Sequence, residues 1–95
     1  MQTDFIIVQE YCRKTNMDPS FFILLEEVGL IKVFTEEGEK YFQASQLIDL
    51  ERYSRMYYDL SINIEGIDAI DHILRRMQEL QDEIEILRSR LRLYE

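Results

Sequence analysis

The chain holds one histidine and one cysteine, and the histidine has neighbours that could support chemistry. His72 follows Asp71 directly and Asp68 by four residues. A carboxylate beside an imidazole can fix its tautomer for general-base work, and histidine with aspartates is also a donor set for metal ions. Neither use gathers support. A metal site needs more ligands at helical spacing, and no cysteine or second histidine is there to supply them. Asp68 and Asp71, three apart and without a pocket, read as the solvated start of a helix. Tyr53, Tyr57 and Tyr58 could stack nucleic-acid bases, but on one helix they read more simply as core and dimer contacts. A lone Cys12 excludes a disulfide framework and reads as a buried thiol. No nucleophile, phosphate loop or paired carboxylate stands out. The chain reads as a non-enzyme with no cofactor and no metal.

The element that carries His72 has the clearest pattern. Ile70, Ile73, Met77, Leu80, Ile84, Leu87, Leu91 and Tyr94 follow one another in steps of three and four, which is a coiled-coil seam. With Ile70 at position a, His72 falls at c and faces water. So narrow a stripe leaves isoleucine and leucine in water unless a second helix covers it. The other helices are short and amphipathic around their own core, so a second copy of the chain is the economical partner. The expectation is a homodimer joined through Ile70, Ile73, Met77, Leu80, Ile84, Leu87 and Leu91. Charge leaves its orientation open. An antiparallel pair centred near Met77 to Leu80 sets Arg76 against Glu83 of the partner subunit, whereas a parallel pair gains Glu83 with Arg88. Such rim pairs are worth only about a few tenths of a kcal/mol.

A helix from about Ile64 to Tyr94 leaves roughly 60 residues for a compact head, which buries only ~60% of its unfolded surface and is marginal alone. The sequence therefore divides into a head over residues 1–62 and a dimerisation helix over 63–95. Acidic residues number 19 against 11 basic, divided as 11 to 6 up to Leu60 and 8 to 5 beyond, for a net charge of −8. That surface repels phosphate at long range, and no basic stripe is evident to bind duplex DNA. It favours a basic protein surface, through steering that weakens with salt. The runs FII and FFILL are too short to span a bilayer, and the N-terminus lacks the layout of a signal peptide. Both point to the cytoplasm.

Within the head, Val8, Tyr11, Cys12 and Thr15 mark one face of a short helix ending near Asn16. Asp18 and Pro19 start a second, the aspartate accepting from free amides and proline fitting the first helical position. It runs to Val28, and Gly29 suits the left-handed stop. Two helices so closely joined form a helix-turn-helix. IKVF and KYF flank TEEGE, where Gly38 can take a positive φ, and together they predict a hairpin wing. Leu47, Leu50, Tyr53, Tyr57 and Leu60 mark a third helix from about Ser45 to Leu60. Asn63 then caps the long helix, with Glu65 and Asp68 near its positive end. The fold class is mostly α: a winged helix-turn-helix head with a small β-hairpin wing, and a long C-terminal coiled-coil helix.

This order resembles the MerR-type winged-helix superfamily, and particular residues carry the resemblance. VQEYCRKTNMDPSFFILLEEVGLI is similar to the opening of that superfamily, with Thr15 in the turn and EEVGL at Glu26 to Leu30 ending the second helix. DLSINIEGIDAI, from Asp59 to Ile70, is similar to its junction between third and fourth helices. Within the superfamily nearly the whole chain resembles the CbpM family of chaperone modulators. The block QASQLIDLERYSRMYYDLSINIEGIDAI and the lone terminal helix carry that likeness. The resemblance implies an antiparallel coiled coil. It also implies that the partner is the J-domain of a DnaJ-like or CbpA-like co-chaperone, whose second helix is basic because it docks on a DnaK-type chaperone.

The chain departs from DNA-binding relatives of MerR type where function is decided. Those have an arginine and two tyrosines in the second helix, where this chain reads Ile23, Leu24, Leu25 and Glu26. Arginine reads phosphates and base edges with its planar fork, and aliphatic side chains offer no hydrogen bonds. Glu36, Glu37 and Glu39 crowd the wing, with Lys32 and Lys40 against them. If Phe22, Leu25 and Val28 face inward, then Phe21, Ile23 or Leu24 lies on or near the surface. Phe21 and Leu24 then either anchor a partner or pack against the third helix or a dimer mate. For a basic partner, Glu26, Glu27, Glu36, Glu37 and Glu39 are the expected charge contacts and Phe21 and Leu24 the apolar anchors. A cluster of Arg13, Lys14, Lys32 and Arg52 on one face would instead favour a DNA-binding regulator.

Overall fold

The structure is a computed structural model and describes residues 4–94. Strand β1 (Phe5–Ile7) leads directly into helix α1 (Val8–Thr15). Val8 and Cys12, one helical turn apart, bury the inner face of α1. Asn16 stops it in the left-handed conformation at φ 56°, and the Met17 amide returns to the Cys12 carbonyl at 3.0 Å. Helix α2 (Pro19–Glu27) starts as its sequence demands: the Asp18 side chain accepts from the Ser20 amide at 3.0 Å, and Pro19 holds the first position. Gly29, at φ 82°, ends it.

Strands β2 (Phe34–Glu36) and β3 (Glu39–Gln43) form the wing. Glu37 and Gly38 join them with positive φ, 52° and 80°. Two such residues make the mirror-image turn that matches the strand twist. The glutamate takes a conformation that costs a side chain about 1–2 kcal/mol. The Gln46 side chain brackets the base of the wing, accepting from the Lys32 amide and donating to the Lys32 carbonyl, both at 2.9 Å. Strand β1 is an addition to the expected hairpin. It pairs antiparallel with β3, with Ile6 opposite Phe42, and gives a three-stranded sheet ordered β1-β3-β2.

The expected third helix is composite. A short 3-10 turn at Ala44–Gln46 precedes helix α3 (Leu47–Ser54), and Arg55–Asp59 widens into a π turn. The Leu60 amide there reaches back five residues to the Arg55 carbonyl at 3.1 Å. The extra residue turns Tyr57 and Tyr58 onto Phe21, with ring centroids at 4.6 and 5.4 Å. It leaves Leu60 66% exposed instead of on the core face.

Helix α4 (Ile64–Arg92) runs for 29 residues from an Asn63 cap that accepts from the Gly66 amide at 2.8 Å. Glycine is needed at that amide, since a Cβ would lie 2.8 Å from Cγ2 of Ile62. Only the first two turns of α4 enter the head. There Ile67 joins Phe21, Leu25, Phe42, Leu50 and Tyr53 in a core where each is less than 2% exposed. Two expectations for α2 are corrected. Phe21 is inside, because the π turn brings Tyr57 over its ring. Val28 is 37% exposed, because it closes the helix beyond the end of the core.

Candidate protein-docking surface

The outer face of α2 follows from what its inner face must bury. Phe21, Phe22 and Leu25 point into the core, so Ile23, Glu26 and Glu27 point out, with Ile23 45% exposed and Leu24 half-buried at the border. Of the two apolar anchors expected there, Phe21 is excluded from the surface by its stacking on Tyr57. The exposed apolar side chains of this segment are Ile23 and Val28. The wing stands beside them. Ile23 and Glu26 share a shallow depression of about 80 Å³ with Val33 and Lys40. Glu36 and Glu37 are exposed at the wing tip, and Glu39 is half-buried.

None of Glu26, Glu27, Glu36, Glu37 and Glu39 has a basic side chain within 4.0 Å among the described residues. The arginines of α3 and early α4 are held elsewhere. Arg52 contacts Asp49 at 3.1 Å and Asp71 at 3.6 Å, and Arg76 contacts Glu79 of its own helix at 3.0 Å. Lys32 places its ammonium 5.4 Å from the centre of the Phe34 ring. Arg13 lines a depression with Glu10 and Glu39. Lys32 and Arg52 thus lie each beside a ring or a carboxylate, while Arg13 and Lys14 are exposed on α1.

The aspartates around His72 separate. The imidazole lies on the outside of α4, its side chain 75% exposed, with Nδ1 2.8 Å from the Asp68 carbonyl and 3.5 Å from the Asp68 carboxylate. Asp71 is not the solvated residue expected but is 4% exposed. It accepts from the Tyr53 hydroxyl at 2.9 Å and from Nε of Arg75 at 2.7 Å. Burial alone would raise its pKa, but the bonds from Arg75 and Tyr53 and the charges of Arg75 and Arg52 outweigh it and hold the carboxyl below its usual range. The partners explain the burial, since a charge inside a protein must be paired. Two signals pointed to it: Arg75 one turn beyond Asp71, and a core-facing Tyr53 whose hydroxyl needed an acceptor. Among the described residues no group of three or more His, Cys, Asp or Glu could hold a metal ion.

Beyond Asp71 the seam residues lie on the surface of the chain. Ile73, Met77, Leu80, Ile84, Leu87 and Leu91 are 42 to 61% exposed, while Ile70 packs partly against the head. No helix among the described residues is long and apolar enough to cross a membrane. Residues 6–89 match the family model described as MerR HTH family regulatory protein. No curated protein and no solved structure matches the chain.

Proposed function

The chain belongs to the MerR HTH family of regulatory proteins, and from that premise we propose that it is a non-catalytic modulator that binds the J-domain of a DnaJ-like co-chaperone. The observation that carries the proposal is the outer face of α2. In a helix-turn-helix the second helix is the one that enters the major groove. Here that helix presents Ile23, Glu26 and Glu27, with Glu36 and Glu37 exposed on the wing beside it. These groups donate no side-chain hydrogen bond to a base edge and repel phosphate, yet they suit a basic helix that also offers apolar contact.

Binding of this kind regulates without chemistry. An acidic surface that covers the basic helix of a J-domain competes with the chaperone that the helix serves, and so inhibits it by occupancy. The exposed stripe of α4 supports a homodimer, since a second copy of the same helix would remove Ile73, Met77, Leu80, Ile84, Leu87 and Leu91 from water. The CbpM-like block from Gln43 to Ile70 favours this partner and an antiparallel pair. Family membership by itself also suits a DNA-binding transcription regulator. The carboxylates on α2 and the wing, and the engagement of Arg52 by Asp49 and Asp71, weigh against that alternative.

Calorimetric titration of the full chain with a J-domain from the same organism, at low and moderate salt, tests the proposal, with random duplex DNA as control. Salt-sensitive binding to the J-domain that the double variant Glu26→Lys, Glu27→Lys abolishes is the expected result. Silence toward the J-domain together with binding to DNA would overturn it in favour of the regulator.

A further inference from the structure

The outer face of the sheet carries a groove that the α2 surface does not include. Phe42 turns inward, so its neighbour Tyr41 and the residues in register with Tyr41, Ile7 and Phe34, turn outward. Phe5, Phe34, Thr35, Glu36 and Tyr41 line an open, mainly apolar groove of about 490 Å³. Phe5 meets Phe34 edge-on at 5.7 Å and is itself 52% exposed.

Two observations of charge identify what the groove accepts. Glu36 and Glu39 are directly opposite each other at the end of the β2–β3 ladder, on the same side as Phe34 and Tyr41. Like charges so placed oppose pairing of the strands, and no basic side chain lies within 4.0 Å of either among the described residues. One ring beside them already attracts a cation: the Lys32 ammonium stands 5.4 Å from the Phe34 centroid. An aromatic surface ending in two carboxylates, neither in an ion pair among the described residues, is complementary to a side chain with an apolar stem and a positive head. Arginine fits better than lysine, because its planar guanidinium can stack on a ring while its fork reaches both carboxylates.

We propose that this groove receives an arginine side chain from a basic segment of the protein partner, stacked on Phe34 and Tyr41 with its charge between Glu36 and Glu39. This deepens the J-domain reading and rests on it for the identity of the partner. It adds a second point of contact, on the face of the sheet turned away from α2.

The test uses the ¹⁵N-labelled full chain, titrated in parallel with a J-domain and with a blocked decapeptide rich in arginine. A matching peptide with citrulline in place of arginine is the control. Expected are amide shifts at Phe34, Thr35 and Tyr41 with both ligands and none with the citrulline peptide. The double variant Glu36→Gln, Glu39→Gln should bind at least about 5-fold more weakly while melting at a higher temperature, a combination that damage to the fold cannot produce. J-domain binding at wild-type affinity by that variant and by Tyr41→Ala, with shifts confined to α2, overturns the groove and leaves the α2 reading standing. An arginine peptide that titrates the groove while the J-domain stays silent upholds the groove and overturns the J-domain. Equal shifts from arginine and citrulline peptides, or none from any ligand, overturn the groove.

Discussion

The hydroxyl of Tyr53 on α3 donates a 2.9 Å hydrogen bond to the carboxylate of Asp71 on α4, and neither residue is more than 4% exposed. This bond joins the last buried residue of the long helix to the centre of the head. Arg75 completes the carboxylate from one turn further along. The helix is thereby fixed in rotation as well as in position, because Asp71 can reach Tyr53 from only one side of α4.

Removing either partner exposes the asymmetry of a buried polar pair. Tyr53→Phe should cost about 1.5–3 kcal/mol, since it takes a donor from a charged acceptor. Asp71→Ala should cost about 1–3 kcal/mol, because it strands the buried Tyr53 hydroxyl, whereas Arg52 and Arg75, 39% and 63% exposed, can turn to water. Urea denaturation at neutral pH measures both. The double variant Tyr53→Phe, Asp71→Leu should recover part of the loss of Asp71→Ala, as apolar replacement of a whole buried network often does.

The same cluster sets a pH dependence. In the folded protein Asp71 titrates below its ordinary value of 3.8. Its stabilising contribution is therefore complete above about pH 5 and is lost as the pH falls through 3.8 toward the folded value. Tyr53 behaves oppositely: burial first, and then the bond to Asp71, raise it above its ordinary 10.0, so its contribution is held below that pH and lost as the pH rises beyond it. Melting temperatures across pH 3 to 7 should fall toward acid in the wild type, and less steeply in Asp71→Asn.

The wing turn should yield stability to a single substitution. Glu37 sits at φ 52° without a local hydrogen bond among the described residues to support it. Glu37→Asn or Glu37→Gly should therefore raise stability by about 0.5–1 kcal/mol, since both residues adopt the left-handed conformation readily. Gly38→Ala, at φ 80°, should lower it. Thermal unfolding of the three variants gives the order directly.

The seam makes a prediction about mass. Sedimentation should show the wild type at twice its chain mass, with a melting temperature that rises with concentration. Leu80→Glu with Ile84→Glu should give a single chain with helical content preserved in the head. An unchanged sedimentation coefficient for that variant would remove the coiled-coil dimer.

Most elements of the fold were legible because their signals are local. Asp18 with Pro19, Gly29, Gly38 and Asn63 mark boundaries by the chemistry of a few residues, and each of these stands where its sequence places it. Strand β1 was not legible. Three residues carry no usable periodicity, and their partner β3 lies more than thirty residues away. The π turn was equally hidden, because one extra residue in α3 leaves no mark in composition, and it reversed the expectation for Phe21. The candidate surface was legible in its charges and misjudged in its apolar part. Glutamates on a short helix and a wing tip have few places to go but outward, whereas which of Phe21, Ile23 and Leu24 faces water depends on what packs over the helix. Asp71 misled for the opposite reason: a carboxylate at a heptad b position looks solvated until a tyrosine from another helix reaches it.

Every residue of α4 after Asp71 is exposed, which makes the helix a beam clamped at one end. From His72 to Arg92 it extends about 32 Å beyond the clamp at 1.5 Å per residue. In the proposed antiparallel pair, centred between Met77 and Leu80, the two clamps would stand about 22 Å apart along the axis, so the assembly works as a ruler between two docking faces. One residue inserted between Arg75 and Met77, beyond the Asp71 clamp, would swing the rest of the seam by about 100° around the beam. Each head would keep its fold, and the pair would lose its common bearing.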